Sequence, residues 1–555
     1  MADASTHAGS TGHKELTLAE QTRVVAGLMH SLRAAQPVQR VELIETHISF
    51  VLLAGEFAYK LKKCVNLGFL NFTTLAQRRH FCEEELRLNR RIAPHIYLDI
   101  VPVTCEGGPP SLGGTGVMID VALRMRAFEQ EGLWEQRVQH GTLEPGDIDA
   151  LAQSLCALHR DAAVAAADSP HGTAALTRAP VLETLDALEA LLGPPQAAPQ
   201  PGPPGAAALA DLRAWEAHAF NALQPHFAQR RAMGRVRECH GDLHLGNVTT
   251  IDGLPTMFDC LEFDAGLRWT DVMSDVAFMA MDLHRHARAD LARRFVNAYF
   301  ELSGDYDGAR VLGCHMVYRA LVRAKIAALR GAAAGAALHA YLDVARLCSV
   351  PGRPLLIITH GFSGSGKTTW TGLLLEVIGA IRVRADVERK RLADLAPLVA
   401  TNSALRAGLY TRAHDDATHE RLRDAATAVL QGGFSAILDA TFLTREPRDQ
   451  ARALARELGV RLVILDFEAD IATLRQRVMA RSELGADASE AGIAVLDDQI
   501  AHHEPLGADE RADERVDVWH VDARQPWSRE GVAAHVHSLL NPEACGSALA
   551  CATLP

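Results

Sequence analysis

The run "LLIITHGFSGSGKTTW", residues 355–370, restricts the possible folds of this chain more than any other stretch. A buried-strand pattern leads into a glycine loop, and a helix-forming run, "TTWTGLLLEVI", follows it. "GFSGSGKT" (361–368) fits G-x-x-x-x-G-K-[ST]. Gly361, Gly364 and Gly366 let the backbone turn so that its N–H groups converge on phosphate oxygens, with Phe362, Ser363 and Ser365 in the same turn. Lys367 reaches the β/γ-phosphates, the Thr368 hydroxyl is placed to ligate Mg²⁺, and Thr369 extends the nucleotide contact.

Downstream, "FSAILDAT" and "RLVILDFE" are apolar strands separated by helix-period segments, so the region reads as a parallel sheet with helices on both faces. Asp439 ends one of these strands, the place for a carboxylate that holds Mg²⁺ directly or through water. Asp386, in "IRVRADVERKR" after the second strand, can accept the proton of an acceptor hydroxyl, with Arg389 holding the acceptor's charge. Arg477 and Arg481 lie four apart on one helix face, where they can cap a γ-phosphate during transfer. The chemistry changes at "SVPGRP", which places the main boundary near residue 350. The P-loop domain then spans 349–541, with a tail over 542–555.

A second phosphate-handling pattern lies upstream. In "ECHGDLHLGN" (238–247), Asp242 and Asn247 stand in D-x-x-x-x-N, the spacing of the protein-kinase catalytic loop. There the aspartate accepts the substrate hydroxyl proton and the asparagine holds a metal. Twelve residues on, the β-like run "PTMFDCLEF" carries Asp259, a second oxygen ligand for Mg²⁺. His240, Asp242 and His244 could instead serve as zinc ligands along a strand, or the segment could be structural with satisfied histidines. Gly241, Gly246 and Asn247 suit a loop better than a strand.

Strand-like runs over 41–65, broken at Gly55, a helix over 75–93 and two further strands form an α+β lobe before this loop. Residues 146–230 and 270–350 are helical, interrupted by "GPPQAAPQPGPPG" (193–205), a flexible Pro/Gly loop. Arg319, Arg323 and Lys325 read as a solvated helix face. Asp264, Asp271 and Asp275 are candidates for holding a cationic acceptor, with Asp275 the better structural anchor. Residues 1–25 read as a polar, disordered N-terminus, and 26–348 as one kinase-like domain. A net charge of −12, from 56 basic and 68 acidic residues, argues against general nucleic-acid binding. No signal peptide, membrane span or disulfide framework is visible, so the expected setting is the cytoplasm.

The C-terminal region resembles the small P-loop kinases, the group holding gluconate kinase, the zeta toxins and the polynucleotide kinase fold. That resemblance implies lid arginines at Arg477 and Arg481 and an acceptor-activating acid at Asp386. "HGDLHLGN" is similar to the H-G-D-x-x-x-x-N loop of the aminoglycoside phosphotransferase and choline kinase-like superfamily. With "ETHISFV", "YKLKK", "EEELRLNRRIAP" and "FDCLEFD", the chain resembles bacterial proteins that fuse such a domain to a P-loop kinase domain. The resemblance implies a strand lysine paired with a helix glutamate on the α/β-phosphates: Lys60, with Lys62 second, and Glu85, with Glu84 second. No G-x-G-x-x-G phosphate cover is present, so Thr46 or Ser49 would have to serve.

The expected architecture is therefore multidomain: a two-lobed α+β protein-kinase-like fold, then an α/β P-loop parallel-sheet kinase fold. Each would move a γ-phosphoryl group from ATP, with Mg²⁺, to a hydroxyl of a small molecule. The alternative makes the N-terminal part a regulatory pseudokinase and the P-loop domain the sole ATPase or kinase. The acceptors and the oligomeric state are not legible.

Overall fold

Alternating burial in "SFVLLA" and "FAYKLK" makes Ser49–Ala54 and Phe57–Lys62 a hairpin around the two-residue turn Gly55–Glu56, with Gly55 at φ 63°. In the computed structural model this hairpin lies in a six-stranded antiparallel sheet. Its spatial order is Val41–Glu45, Ser49–Ala54, Phe57–Lys62, Val117–Arg126, Tyr97–Cys105, Ser111–Leu112. The model describes residues 15–35, 41–68, 70–193, 205–331, 335–350, 352–397, 399, 411–484, 489, 491–524 and 526–540. The chain divides into two compact units, Met1–Leu143 with Arg237–Thr270, and Glu144–Val236 with Asp271–Pro555. The boundary expected near residue 350 falls inside the second unit. Both the tail 542–555 and most of the Pro/Gly loop 193–205 lie outside the described residues.

In the first unit the sheet buries both faces, as its period-2 alternation requires. Phe50, Leu52, Leu61, Val103 and Ala122 face Val25 and Leu28 of the Leu18–Ala35 helix. That helix starts inside the stretch read as a disordered terminus, because Val25 and Leu28 cover the sheet. Tyr97, Val121 and Leu123 point the other way, to Cys82 of the Leu75–Asn89 helix. A capping box starts that helix: Thr74 accepts from Gln77 N–H, and the Gln77 side chain reaches back to Thr74 N–H.

The second unit combines helices with a five-stranded parallel sheet. Its strand order is Ile381–Arg384, Ala436–Asp439, Leu355–His360, Arg461–Glu468, Val516–Asp522. The loop strand Leu355–His360 is central and nearly all buried, which explains its unbroken apolar run. Four of these strands are legible as apolar runs; Val516–Asp522 is not, because "VDVWHVD" alternates polar and apolar residues.

The helices before this sheet include Pro145–Asp161, Met273–Arg285, Ala289–Ser303 and Ala309–Leu329. Arg319 is not on a solvated face: it is buried, lies over the Phe278 ring at 4.8 Å and donates to Ser274 Oγ at 2.9 Å. Asp271 and Asp275 do not form an open acidic groove either. Asp271 is buried in an ion pair with Arg230 at 2.7 Å, and Asp275 contacts His159 Nε2 at 3.2 Å. In the first unit, Asp264 caps a short helix by accepting from Gly266 N–H.

Candidate active sites

Lys60 and Lys62 are two apart on one strand and so point to the same face. Both reach the fully buried carboxylate of Glu85, at 2.8 and 2.7 Å. Lys60 also meets Asp259 at 2.5 Å, while Lys62 pairs with Glu262. Glu84 turns away to Arg87 and Arg268. Burial opposes the charge of Lys60, but Asp259, Glu85 and Glu262 overcome it and hold the ammonium well above its ordinary range. Burial also opposes ionisation of Glu85, and the two lysines still bring its carboxyl down to about 2. Glu262 shifts the other way, because burial pushes its carboxyl up. Only Lys60 is near solvent, with 11% of its side chain exposed against none of Lys62.

The loop after Glu238 is tied down by its first histidine. His240 is buried, its Nε2 lies 2.9 Å from the Phe258 carbonyl, and its Nδ1 faces Asp242 N–H at 3.3 Å. A proton on Nε2 satisfies both contacts, which leaves His240 no lone pair for zinc. Gly241 has φ 85°, and a Cβ there would sit 3.1 Å from Leu261 Cβ and 3.2 Å from Arg268 Cβ. Asn247 donates through Nδ2 to the Asp242 carbonyl at 2.9 Å and to its Oδ2 at 3.2 Å, leaving Oδ1 as the oxygen for a cation. Asp259 adopts φ 62°, held by its N–H donating to the Tyr97 hydroxyl at 3.0 Å. Asn247 and Asp259 together offer the hard oxygen donors that suit Mg²⁺.

Two supports of this loop escaped the sequence reading. Glu238 receives Arg87, Arg91 and Arg268 at 2.7, 3.2 and 3.2 Å, tying the Glu85 helix to the start of the loop. The i,i+4 pair Arg87 and Arg91 was the visible sign, but their partner lies some 150 positions away. Glu262 carried no local signal. Neither hydroxyl of the expected phosphate cover is open to a ligand, one being engaged and the other buried. Thr46 Oγ1 closes its own turn by accepting from Ser49 N–H at 2.9 Å, while Ser49 Oγ is buried without a hydrogen-bond partner.

In the second unit the glycine loop joins the central strand to the Lys367–Ile378 helix, with Gly364 and Gly366 at φ 84° and 83°. A Cβ on Gly364 would meet the Leu474 carbonyl at 2.9 Å. Lys367 is buried, and its Nζ donates to the carbonyls of Gly361 and Phe362 at 2.9 and 2.7 Å. Burial lowers its ammonium to about 8, with Asp439 and Asp386 pulling it up and Arg481 pushing it down. Ser365 Oγ is buried with no hydrogen-bond partner, as expected of a cradle shaped for a phosphate oxygen.

Asp386 and Arg389 hold each other at 2.8 Å, and Arg389 also reaches Asp415 at 3.1 Å. Arg477 Nη1 lies 3.8 Å from where a Cβ on Gly366 would be, which places this guanidinium over the loop. Its Nη2 donates to Ala523 O at 2.8 Å, and Arg481 Nη2 to Ala491 O at 2.8 Å. Asp439 Oδ2 lies 3.5 Å from Thr371 Oγ1 and 4.0 Å from Arg382.

Gln499, which sequence reading passed over, makes a two-point contact with the loop. Its Oε1 accepts from Ser363 N–H at 2.9 Å and its Nε2 donates to Ser363 Oγ at 3.0 Å. A lone glutamine in a helical run gives no local sign of such a role.

Residues 356–506 match the family model described as an AAA domain. Among solved structures, a choline/ethanolamine kinase family protein from Mesorhizobium loti is 13% identical. It covers 60% of this chain and 100% of its own, at a TM-score of 0.35. A gluconokinase from Sinorhizobium meliloti is 20% identical and covers 35% of this chain and 99% of its own, at a TM-score of 0.24. The uncharacterized protein Rv2004c of Mycobacterium tuberculosis is 30% identical over 462 residues, 82% of this chain and 89% of that one. By that extent of shared sequence, the chain belongs to the family of the mycobacterial protein Rv2004c.

Proposed function

We propose that this chain is an ATP-dependent phosphotransferase with two phosphoryl-transfer sites, one in each compact unit, acting on hydroxyls of small molecules. The observation that carries the reading is in the first unit. There a strand lysine, a buried helix glutamate and Asp259 meet, and Phe258 N–H on the Asn247 carbonyl ties the Asp242–Asn247 pair beside Asp259, from segments up to 199 positions apart. Such a set has little to do in a core and matches what phosphoryl transfer needs.

In the first site Asp242 accepts the proton of the acceptor hydroxyl. Asn247 and Asp259 would hold Mg²⁺, and Lys60, oriented by Glu85, the α/β-phosphates. In the second, the loop from Gly361 to Thr369 binds the polyphosphate, with Lys367 on its terminal oxygens. Thr368 and Asp439 would hold the cation, Asp386 activates the acceptor, and Arg389 orients it. Arg477 and Arg481 close on the transferred group. Mg²⁺ held by these oxygens would neutralise phosphate charge; the residues contribute positioning and electrostatic stabilisation. The expected acceptors are metabolites, not nucleic acid. No helix among the described residues is long and apolar enough to cross a membrane.

The Lys60–Asp259 ion pair favours a second reading, in which the first site is a regulatory pseudokinase, because it engages a residue needed for the cation. One experiment separates the two. ATP hydrolysis and transfer to a library of sugars, nucleosides and amino alcohols are measured for wild type, Asp242→Ala and Lys367→Ala. Two active sites predict that each variant loses a different set of products. If Asp242→Ala keeps every product while Lys367→Ala loses all of them, only the P-loop site is an enzyme.

A further inference from the structure

The edge strand Ile381–Arg384 lies beside Ala436–Asp439 and, among the described residues, has no strand on its other side. An edge normally leaves backbone groups to be covered. Here the Ala289–Ser303 helix, in the same unit, covers it: Asn297 Oδ1 accepts from Arg382 N–H at 2.8 Å. One helical turn on, Glu301 meets Arg382 Nη2 at 3.4 Å and Arg384 Nη1 at 3.3 Å.

Arg382 is buried and stands between two carboxylates. Its Nη1 donates to the Thr368 carbonyl at 2.7 Å and to Thr371 Oγ1 at 3.2 Å, and lies 4.0 Å from Asp439 Oδ2. Its Nε is buried with no hydrogen-bond partner. A cavity of about 420 Å³ lined by Asn297, Glu301, Thr368 and Arg382 leaves the guanidinium room to move. A shift of roughly 1 Å closes the gap to a direct ion pair of ordinary length.

We propose that Glu301, with Asn297, is a positioning residue that holds Arg382 away from Asp439 and so keeps that carboxylate available to a divalent cation. The inference rests on the reading of Asp439 as a cation ligand. With Glu301 neutralised, Arg382 loses the ion pair on its Nη2 side and turns to Asp439, 4.0 Å from its Nη1. A guanidinium paired with Asp439 competes directly with the cation. Any movement of the Ala289–Ser303 helix therefore changes the cation affinity of the P-loop site without touching the nucleotide.

The test uses the full chain, with Mn²⁺ binding in the presence of ADP read from the EPR signal of free Mn²⁺. Glu301→Gln should raise the Mn²⁺ dissociation constant about fivefold or more, the lower range of couplings between linked sites. Arg382→Met should bind Mn²⁺ at least as tightly as wild type, and adding Glu301→Gln to it should change nothing further. A purely structural role would lower thermal stability and leave the Mn²⁺ constant where it was. That result, or a Glu301→Gln effect that persists in the Arg382→Met background, overturns the proposal. Should Glu301→Gln not fold, Asn297→Ala, which frees the strand N–H that anchors Arg382, is read in the same assay for the same direction. A wild-type chain that binds no ADP with Mn²⁺ refutes the nucleotide reading of the P-loop itself. Binding that is normal and indifferent to Glu301 refutes only the positioning role.

Discussion

Two lysines show how far a residue's meaning depends on its surroundings. Lys60 and Lys62 share a strand face and a glutamate, yet Lys62 is sealed against Glu85 and Glu262 while Lys60 faces Asp259. Removing Glu85, fully buried between the two lysines, leaves an uncompensated charge, at about 3–5 kcal/mol. Lys367 ties the chemistry of the P-loop site to pH. Its ammonium, lowered to about 8 by burial, must be charged to hold phosphate. The kcat/KM for ATP at the P-loop site should therefore be flat below about pH 8 and fall above it. Folding responds with the opposite sign. Between about 8 and the ordinary lysine value of 10.5 the unfolded chain binds more protons, so this group's contribution to stability rises with pH. A pH–rate profile flat to pH 9.5 contradicts the assignment.

At the scale of elements, two glycines separate backbone strain from close packing. The hairpin Val248–Ile251 and Leu254–Met257 turns at Asp252–Gly253, both at positive φ, the D-G turn that suits right-twisted strands. A Cβ on Gly253 would meet nothing within 4 Å, whereas one on Gly241 would press on Leu261 and Arg268. Gly253→Ala should cost only the strain of its backbone conformation, about 1 kcal/mol. Gly241→Ala adds a clash beneath Asp242 and should cost about 2–3 kcal/mol, with a larger loss of first-site activity than stability alone explains. Urea midpoints of the two variants check the difference, and equal midpoints contradict it. Gly241 sat in the motif that drew attention to this loop, but the sequence held no sign that Leu261 and Arg268 would crowd it.

At the scale of the molecule, the P-loop sheet and the helices before it fall in one compact unit. Arg293 donates to the Glu376 and Val377 carbonyls at the end of the phosphate-loop helix, and Arg294 bridges Asp149 and Glu376. A fragment of residues 350–541 loses these partners together with Asn297 and Glu301. Amide exchange at Ile381–Arg384 should therefore be faster in the fragment than in the full chain. Equal protection would mean that the P-loop domain stands alone.

The local patterns carried what short-range physics dictates. A G-x-x-x-x-G-K-T loop between a strand and a helix reads as a phosphate cradle, and D-x-x-x-x-N followed by Asp259 could be read from spacing alone. The strand lysine and helix glutamate came from likeness to a family, and which of Lys60, Lys62, Glu84 and Glu85 meet was open until the sheet and helix packed. Glu238 with its three arginines, Glu262, Gln499 on Ser363 and Arg382 between Glu301 and Asp439 belong to tertiary structure alone. Each joins residues tens to hundreds of positions apart, and no periodicity or motif links such partners. Burial decides the rest: a buried charge must find an opposite charge, and only the packed fold determines which one lies within reach.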